Sequence, residues 1–275
     1  MAFLVVEIEY PHHSVADLSD RTGFKGNSQD DLNGAVNLIM GCAAGTEWCN
    51  LSAANVVIRD TSALTGLVPA PAPASLITDL MGAYTNFSGL AASTLTNTGN
   101  SVVTGDIGVS PGTSVTGFPP GTKTGVIRLN DAVAQAAHAA AILAYNNLAA
   151  RSTTSDLSGQ NLGGKNLGPG VYNFATSAQL TGTLTLTGSA TDRFIFKIGT
   201  TLTTATSAAI VLAGGAIPDN VVFQVGSSAT IGTSTAFQGN IFALQSVTAN
   251  TSATNLHGRF IAINAAVTLD TNTIG

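Results

Sequence analysis

The chain has 275 residues and a formal net charge of −5, with 9% of residues charged and 44% hydrophobic. That length gives one large or two modest domains with enough core to fold without metals or disulfides. The lack of clustered Lys and Arg excludes a nucleic-acid-binding surface, and no apolar run approaches the roughly 18 residues of a membrane-spanning helix.

Residues 1–80 hold nine of the fifteen acids but three of the ten bases, whereas residues 81–275 hold six acids, seven bases and no Glu. Such asymmetry marks two modules. FLVVEIEY at 3–10 reads as a strand by its β-branched content. Ser28-Gln29-Asp30-Asp31 then has the form of a helix cap, with Leu32, Ala35, Val36, Ile39 and Met40 at helical spacing. NVVIRD at 55–60 is a second strand, so residues 1–66 form a small α/β module, marginal alone and suited to docking or trimerisation. Cys42 and Cys49 are too few for a four-ligand zinc site and are either free or paired locally. Met1 to Leu4 lack the positive region of a secretory signal, so the protein is either used without Sec export or has lost its signal. LVPAPAPAS at 67–75 is an extended Pro/Ala linker.

The second domain spans 76–275. A short helix, SLITDLMGAY, leads into it, and Gly, Thr, Asn and Pro then punctuate short apolar runs in a β-rich pattern. The exception is a long alanine-rich helix at 129–151, capped by Asn130 or Asp131, with Val133, Ile142, Leu143 and Leu148 as its larger contacts. After it, RFIFKIG at 193–199 aligns with NVVFQVG at 220–226, and GNIFALQ at 239–245 with GRFIAIN at 258–264. Each is followed by an apolar-threonine phrase. Aligned on the phrase, Thr185, Thr203, Thr230, Thr248 and Thr268 recur at spacings of 18, 27, 18 and 20 residues. Periods near twenty, with two strands and glycine corners in each, predict a solenoid of β-coils.

Alternation within the phrases sends Leu184, Leu186, Ala229, Ile231, Val247, Ala249, Val267 and Leu269 inward. Thr183, Thr185, Thr201, Thr203, Ser228, Thr230, Ser246, Thr248 and Thr268 then point outward as a lattice of hydroxyls and methyls. Ala266 interrupts it. Stacked coils place like residues about 4.8 Å apart, and residues two apart along a strand lie about 6.6 Å apart. Such a lattice can order water against ice, or meet a chitin-like crystal or polysaccharide; threonine also stacks in solenoids for stability alone.

Catalysis has little support. The four histidines, His12, His13, His138 and His257, lie in no ligand pattern, and no nucleophile-elbow, phosphate-loop or dinucleotide phrase occurs. Asp106, Asp192 and Asp219 belong to corners. Phe194, Phe196, Phe223, Phe242 and Phe260 read as an aromatic column in the core. No cofactor or metal is expected.

Several motifs in order carry a resemblance: LTNTGNSVVTGDIGVSPGTSVTGFPPG at 95–121, the alanine-rich helix, LGPGVYNF at 167–174, FIFKIGTTLTT at 194–204, VVFQVGSSATIGTSTAFQGNIFALQSVTANTSAT at 221–254 and HGRFIAINAAVTLDTNTI at 257–274. Over roughly residues 85–275 the chain resembles the ice-binding-protein-like family of microbial β-solenoids. The resemblance implies a mostly β fold, a discontinuous right-handed β-solenoid with the long helix packed beside it, and it assigns activity in ice-binding members to one flat face. Residues 1–74 match nothing in the family. Fold alone does not settle function, and two readings follow. In the first, the chain is a structural protein displayed on a virion surface, a phage capsid decoration or cement protein whose residues 1–66 form a trimer or dock on the capsid shell. In the alternative, it is a secreted or cell-surface antifreeze protein that adsorbs to ice through the Thr/Ser face. The unmatched N-terminal module favours the first.

Overall fold

The structure, a computed structural model, describes residues 74–275 together with the strands Val6–Ile8 and Val56–Ile58. The chain divides into two compact units, Met1–Pro73 and Ala74–Gly275. In the first unit the two β-branched segments pair antiparallel, Val6 opposite Ile58. The expected helix after Ser28, residues 67–73 of the linker, and Cys42 and Cys49 lie outside the described residues.

The second unit is a β-solenoid whose coils carry three short strands each, one more than the sequence spacing suggested. One coil runs through Phe194–Ile198, Leu202–Thr204 and Ala209–Ala213; the next runs through Val221–Val225, Ala229–Ile231 and Ala236–Phe237. Stacking these coils makes three wholly parallel sheets of nine, seven and eight strands. Phe196 pairs with Phe223, and their rings stack at 4.5 Å between centroids; Tyr172 continues the stack at 5.2 Å. Apolar side chains fill the interior because each strand alternates, and identical positions in successive coils meet.

The solenoid is discontinuous in sequence. Its last coil, Phe260–Ala262, Val267–Asp270 and Thr273–Ile274, pairs strand by strand with the first, Phe87–Ala91, Thr94–Thr98 and Val102–Val103. A further coil follows, then the strand Ile127–Leu129 at the end of the nine-stranded sheet. From there a helix returns the chain to the opposite end, where Ser155–Asp156 starts the other coils. Nine stacked strands span about 38 Å; the 18-residue helix supplies about 27 Å of that, and flanking extended residues supply the rest.

Two helices cover the nine-stranded face. The first, α1 (Leu76–Met81), is capped by Ser75, whose hydroxyl accepts from Thr78 N, and the second, α2 (Ala132–Ala149), by Asp131, whose carboxylate accepts from Ala134 N at 2.8 Å. Together they bury Leu76, Ile77, Met81, Ala137, Ala141, Ala144 and Leu148 against Leu90, Ile195, Val222, Phe242 and Ile261. Alanine is therefore the packing residue of α2. Contrary to the expectation from size, Val133, Ile142 and Leu143 face solvent, Leu143 with 70% of its surface exposed. Small side chains bring the helix close to the sheet, and of the four larger residues expected at the contact Leu148, near the helix end, is the one buried. The aromatic column is corrected too: Phe194, Phe196, Phe223 and Phe260 fill the coil interior, while Phe242, on the opposite side of its strand, lies under the helices.

Buried side chains tie coil to coil. Asn240 Nδ2 donates to Pro218 O and Val221 O, Asn255 Nδ2 to Gly239 O, and Asn272 Nδ2 to Asn250 O and Ala253 O. Each such bond contributes about 1 kcal/mol and satisfies a carbonyl at a corner. At the seam between the last and first coils, Arg259 Nε donates to Thr85 O at 2.7 Å, and its Nη1 reaches Asp219 and Asn240 Oδ1, both at 2.9 Å. Asn272 N donates to Ser101 Oγ at 2.9 Å across the same seam.

Candidate functional site

The seven-stranded sheet sets the geometry. Its central outward residues are Gln179, Thr203, Thr230, Thr248, Thr268, Thr96 and Thr116, each paired directly with the next. Beneath them Leu202, Ala229, Val247, Val267 and Leu95 are buried, so the backbone alternation fixes every threonine outward. Six threonines in succession thus stand in file, about 4.8 Å apart. At the seam, Thr96 Oγ1 lies 3.5 Å from Thr268 Oγ1.

A second file runs alongside, two residues earlier in each strand: Thr201, Ser228, Ser246, Ala266, Thr94 and Ser114. Backbone bonds hold its members in step, Leu202 N to Ser228 O at 3.2 Å, Ala229 N to Ser246 O at 2.9 Å and Val247 N to Ala266 O at 3.0 Å, and Thr94 pairs with Ser114. A third file, two residues later, holds the strand residues Asp270 and Thr98, which pair, and in line with them Ala205, Gly232 and Asn250, each just past the end of its strand. No described element packs over this face.

Of the expected site residues, Thr203, Thr230, Thr248 and Thr268 share the central file, and Thr201, Ser228 and Ser246 share its neighbour. Thr183 and Thr185 do not belong with them. They sit on the strand Thr183–Thr187 of the eight-stranded sheet, Thr183 opposite Ala209 and Thr185 opposite Val211. Gly182, at φ +86°, turns the chain onto that third face, and Gln179 takes the central place in this coil. The phrase TLTLT repeats the chemistry of the threonine face one strand too late. Thr94, Thr96, Ser114 and Thr116, which sequence reasoning left out, continue the two files across the seam. Their signal was the same phrase, Leu95-Thr96 and Val115-Thr116, hidden by a seam that joins residues about 170 apart in sequence.

The face is nearly free of charge. Among the outward side chains of its three files, Asp270 is the one charged group. The carboxyls pulled below their ordinary range lie elsewhere: Asp131 through the backbone N–H of Ala134 at the helix cap, and Asp156 through the hydroxyl of Ser158. Burial pushes the phenols of Tyr145 and Tyr172 up, both on or under the helix-covered side and the interior.

Catalytic or metal chemistry finds no footing among the described residues. His138 Nε2 lies 2.8 Å from Ile263 O and ties α2 to the sheet, and no cluster of three His, Cys, Asp or Glu side chains occurs. A polar cavity of about 190 Å³ at the seam is bordered by Ser88, Thr104, Asp219, His257 and Arg259. Its charged pair is already joined, Arg259 to Asp219 at 2.9 Å. Asp106 accepts from Val126 N at 2.7 Å and Asp192 from Ser189 N at 2.8 Å, as corner residues do.

A discontinuous β-solenoid flanked by one long helix, with a regular hydroxyl-bearing sheet face left open, defines a class of parallel β-solenoid scaffolds. Residues 89–275 match the family model described as ice-binding-like, and the chain belongs to that family. It is 51% identical over 197 residues to an ice-binding protein of Nostoc sp. (strain HG1), covering 71% of this chain and 73% of that one. It is 30% identical over 265 residues to an ice-binding protein of Flavobacterium frigoris (strain PS1), covering 87% of this chain and 94% of its relative. Among solved structures, an ice-binding protein from the Antarctic ascomycete Antarctomyces psychrotrophicus superposes with a TM-score of 0.68 at 40% identity, over 70% of this chain and 96% of that one.

These findings overturn the expectation of a phage capsid decoration or cement protein. The matched relatives and structures are ice-binding proteins, and none supports a virion surface, a capsid partner or a trimer. That expectation weighted an unfamiliar N-terminal module above a hydroxyl lattice whose register shows only once the coils are stacked.

Proposed function

We propose that the protein binds ice through the seven-stranded face and arrests crystal growth there. The observation that carries this reading is the unbroken central file of Thr203, Thr230, Thr248, Thr268, Thr96 and Thr116. Each threonine offers a hydroxyl that both donates and accepts, beside a methyl that repels water from the gaps between hydroxyls. Water held over such an array is laterally ordered before ice arrives. Seven strands and the two threonine-bearing files make a patch about 29 Å long with its files about 7 Å apart. Because stacked coils and buried aromatics hold the array rigid, adsorption loses little conformational entropy. The one ring in line with the files, Phe118 two residues beyond Thr116, is half-buried against the core, so the files offer a sugar no open stacking platform and ice fits the face better than polysaccharide.

Thr201, Thr203, Ser228, Thr230, Ser246, Thr248 and Thr268 form the contact surface, with Thr94, Thr96, Ser114 and Thr116 added and Thr183 and Thr185 left out. We assign residues 76–275 as the working domain, 67–75 as a linker and 1–66 as a separate module. Growing ice is met outside the cell, so the domain works in the surrounding medium or at the cell surface. Thermal hysteresis and ice recrystallisation assays test the reading. Thr230→Tyr and Thr248→Tyr should each remove most activity, since a ring standing above the plane holds ice off its neighbours. Activity indifferent to both changes would refute it.

A further inference from the structure

We propose that Asp270 sets one edge of the ice-contacting area, confining contact to the first two files and excluding the third beside it. This inference rests on the ice-binding reading of the face. In ice every oxygen donates two hydrogen bonds and accepts two. A threonine hydroxyl can enter that pattern from either side, and so can the amide of Asn250, whereas an ionised carboxylate only accepts. Asp270 pairs with the neutral Thr98, and the neutral Asn250 holds the equivalent place two residues after Thr248, just past its strand. Its two oxygens accept from the hydroxyls of Thr251 and Thr271, the second at 3.1 Å. Those donors satisfy part of an acceptor set of about four lone pairs, and the rest draws water oriented with hydrogens inward. That orientation conflicts with the mixed donor and acceptor order imposed by the threonine file beside it. Water over Asp270 therefore stays liquid-like, and the third file, although sterically open, is lost to the contact.

Replacing the carboxylate by its neutral isostere should release that edge. Asp270→Asn is expected to shift the thermal hysteresis gap upward at equal protein concentration. Asp270→Thr, which copies the paired residue Thr98, should do the same and guards against a fault particular to asparagine. Asn250→Asp, which returns a carboxylate to the third file without raising a bulky group above the plane, reports whether that file touches ice: it should leave the gap of the native chain unchanged and cancel the gain when combined with Asp270→Asn. A gap in both Asp270 variants at or below the native value, with native circular dichroism and melting, would overturn the proposal. So would a clear loss of the gap on Asn250→Asp in the native chain. Thr230→Tyr separates the two levels: if it leaves the gap intact, the face itself is misassigned, and if it abolishes the gap while the Asp270 variants gain nothing, only the edge is.

Discussion

The seven-stranded and eight-stranded faces of the solenoid are built by the same coils, on the same core, and both carry threonine. On the first, strand register places six threonines in file. On the second, the corresponding file reads Thr183, Ala209, Ala236, Thr254, Thr273, Val102 and Thr122. Val211 and Leu256, 43% and 49% exposed, break its neighbour. Stacking for stability tolerates alanine and valine at outward positions, as the second face does. Unbroken threonine on the first is more than stability requires, and that excess is what a function must explain.

Shared construction and separate function can be taken apart by mutation. Phe223→Ala empties the middle of the aromatic stack that supports both faces. It should cost about 3–5 kcal/mol in denaturant unfolding, and ice activity falls with the folded fraction. Next come the face variants: Thr230→Tyr should lose most hysteresis with its melting temperature unchanged, while Thr185→Tyr on the other face keeps native activity. Equal losses at the two sites would dissolve the distinction between the faces. Arg259→Met cuts one bond across the seam, to Thr85 O, and two to the preceding coils, at Asp219 and Asn240, and leaves Asn240 Oδ1 short of a donor. A loss of about 1–3 kcal/mol follows, and the activity contributed by Thr96 and Thr116 should weaken before the fold does. Ala266→Thr, which fills the gap in the second file, has the smallest expected effect, a modest rise in hysteresis read at matched concentrations.

Much of this was visible in the chain itself. Alternation of apolar residues with threonine gave the inward and outward sets, and near-twenty-residue recurrence gave the coils. Four of the five aligned threonines fall in one file for that reason. Thr185 misled because apolar-threonine alternation suits any outward strand of a coil, whichever face it lies on; only the turn at Gly182 separates it from Gln179. Thr96 and Thr116 escaped because a period counted along the chain cannot cross a seam that joins its two ends in space. The orientation of α2 was hidden by its own composition: with apolar residues on every side, nothing in the helix says that Ala137, Ala141 and Ala144, rather than Ile142 and Leu143, face the sheet. Asp270 carried no local sign either, since its meaning depends on Asn250 and Thr98 standing beside it.

The most direct test uses that seam. Thr96 lies far from Thr268 in sequence and beside it in the file, so thermal hysteresis of Thr96→Tyr asks whether one continuous face, rather than a set of repeats after residue 183, meets the ice. Loss comparable to Thr230→Tyr with an unchanged melting temperature is the predicted result; native hysteresis in a folded Thr96→Tyr chain would contradict it.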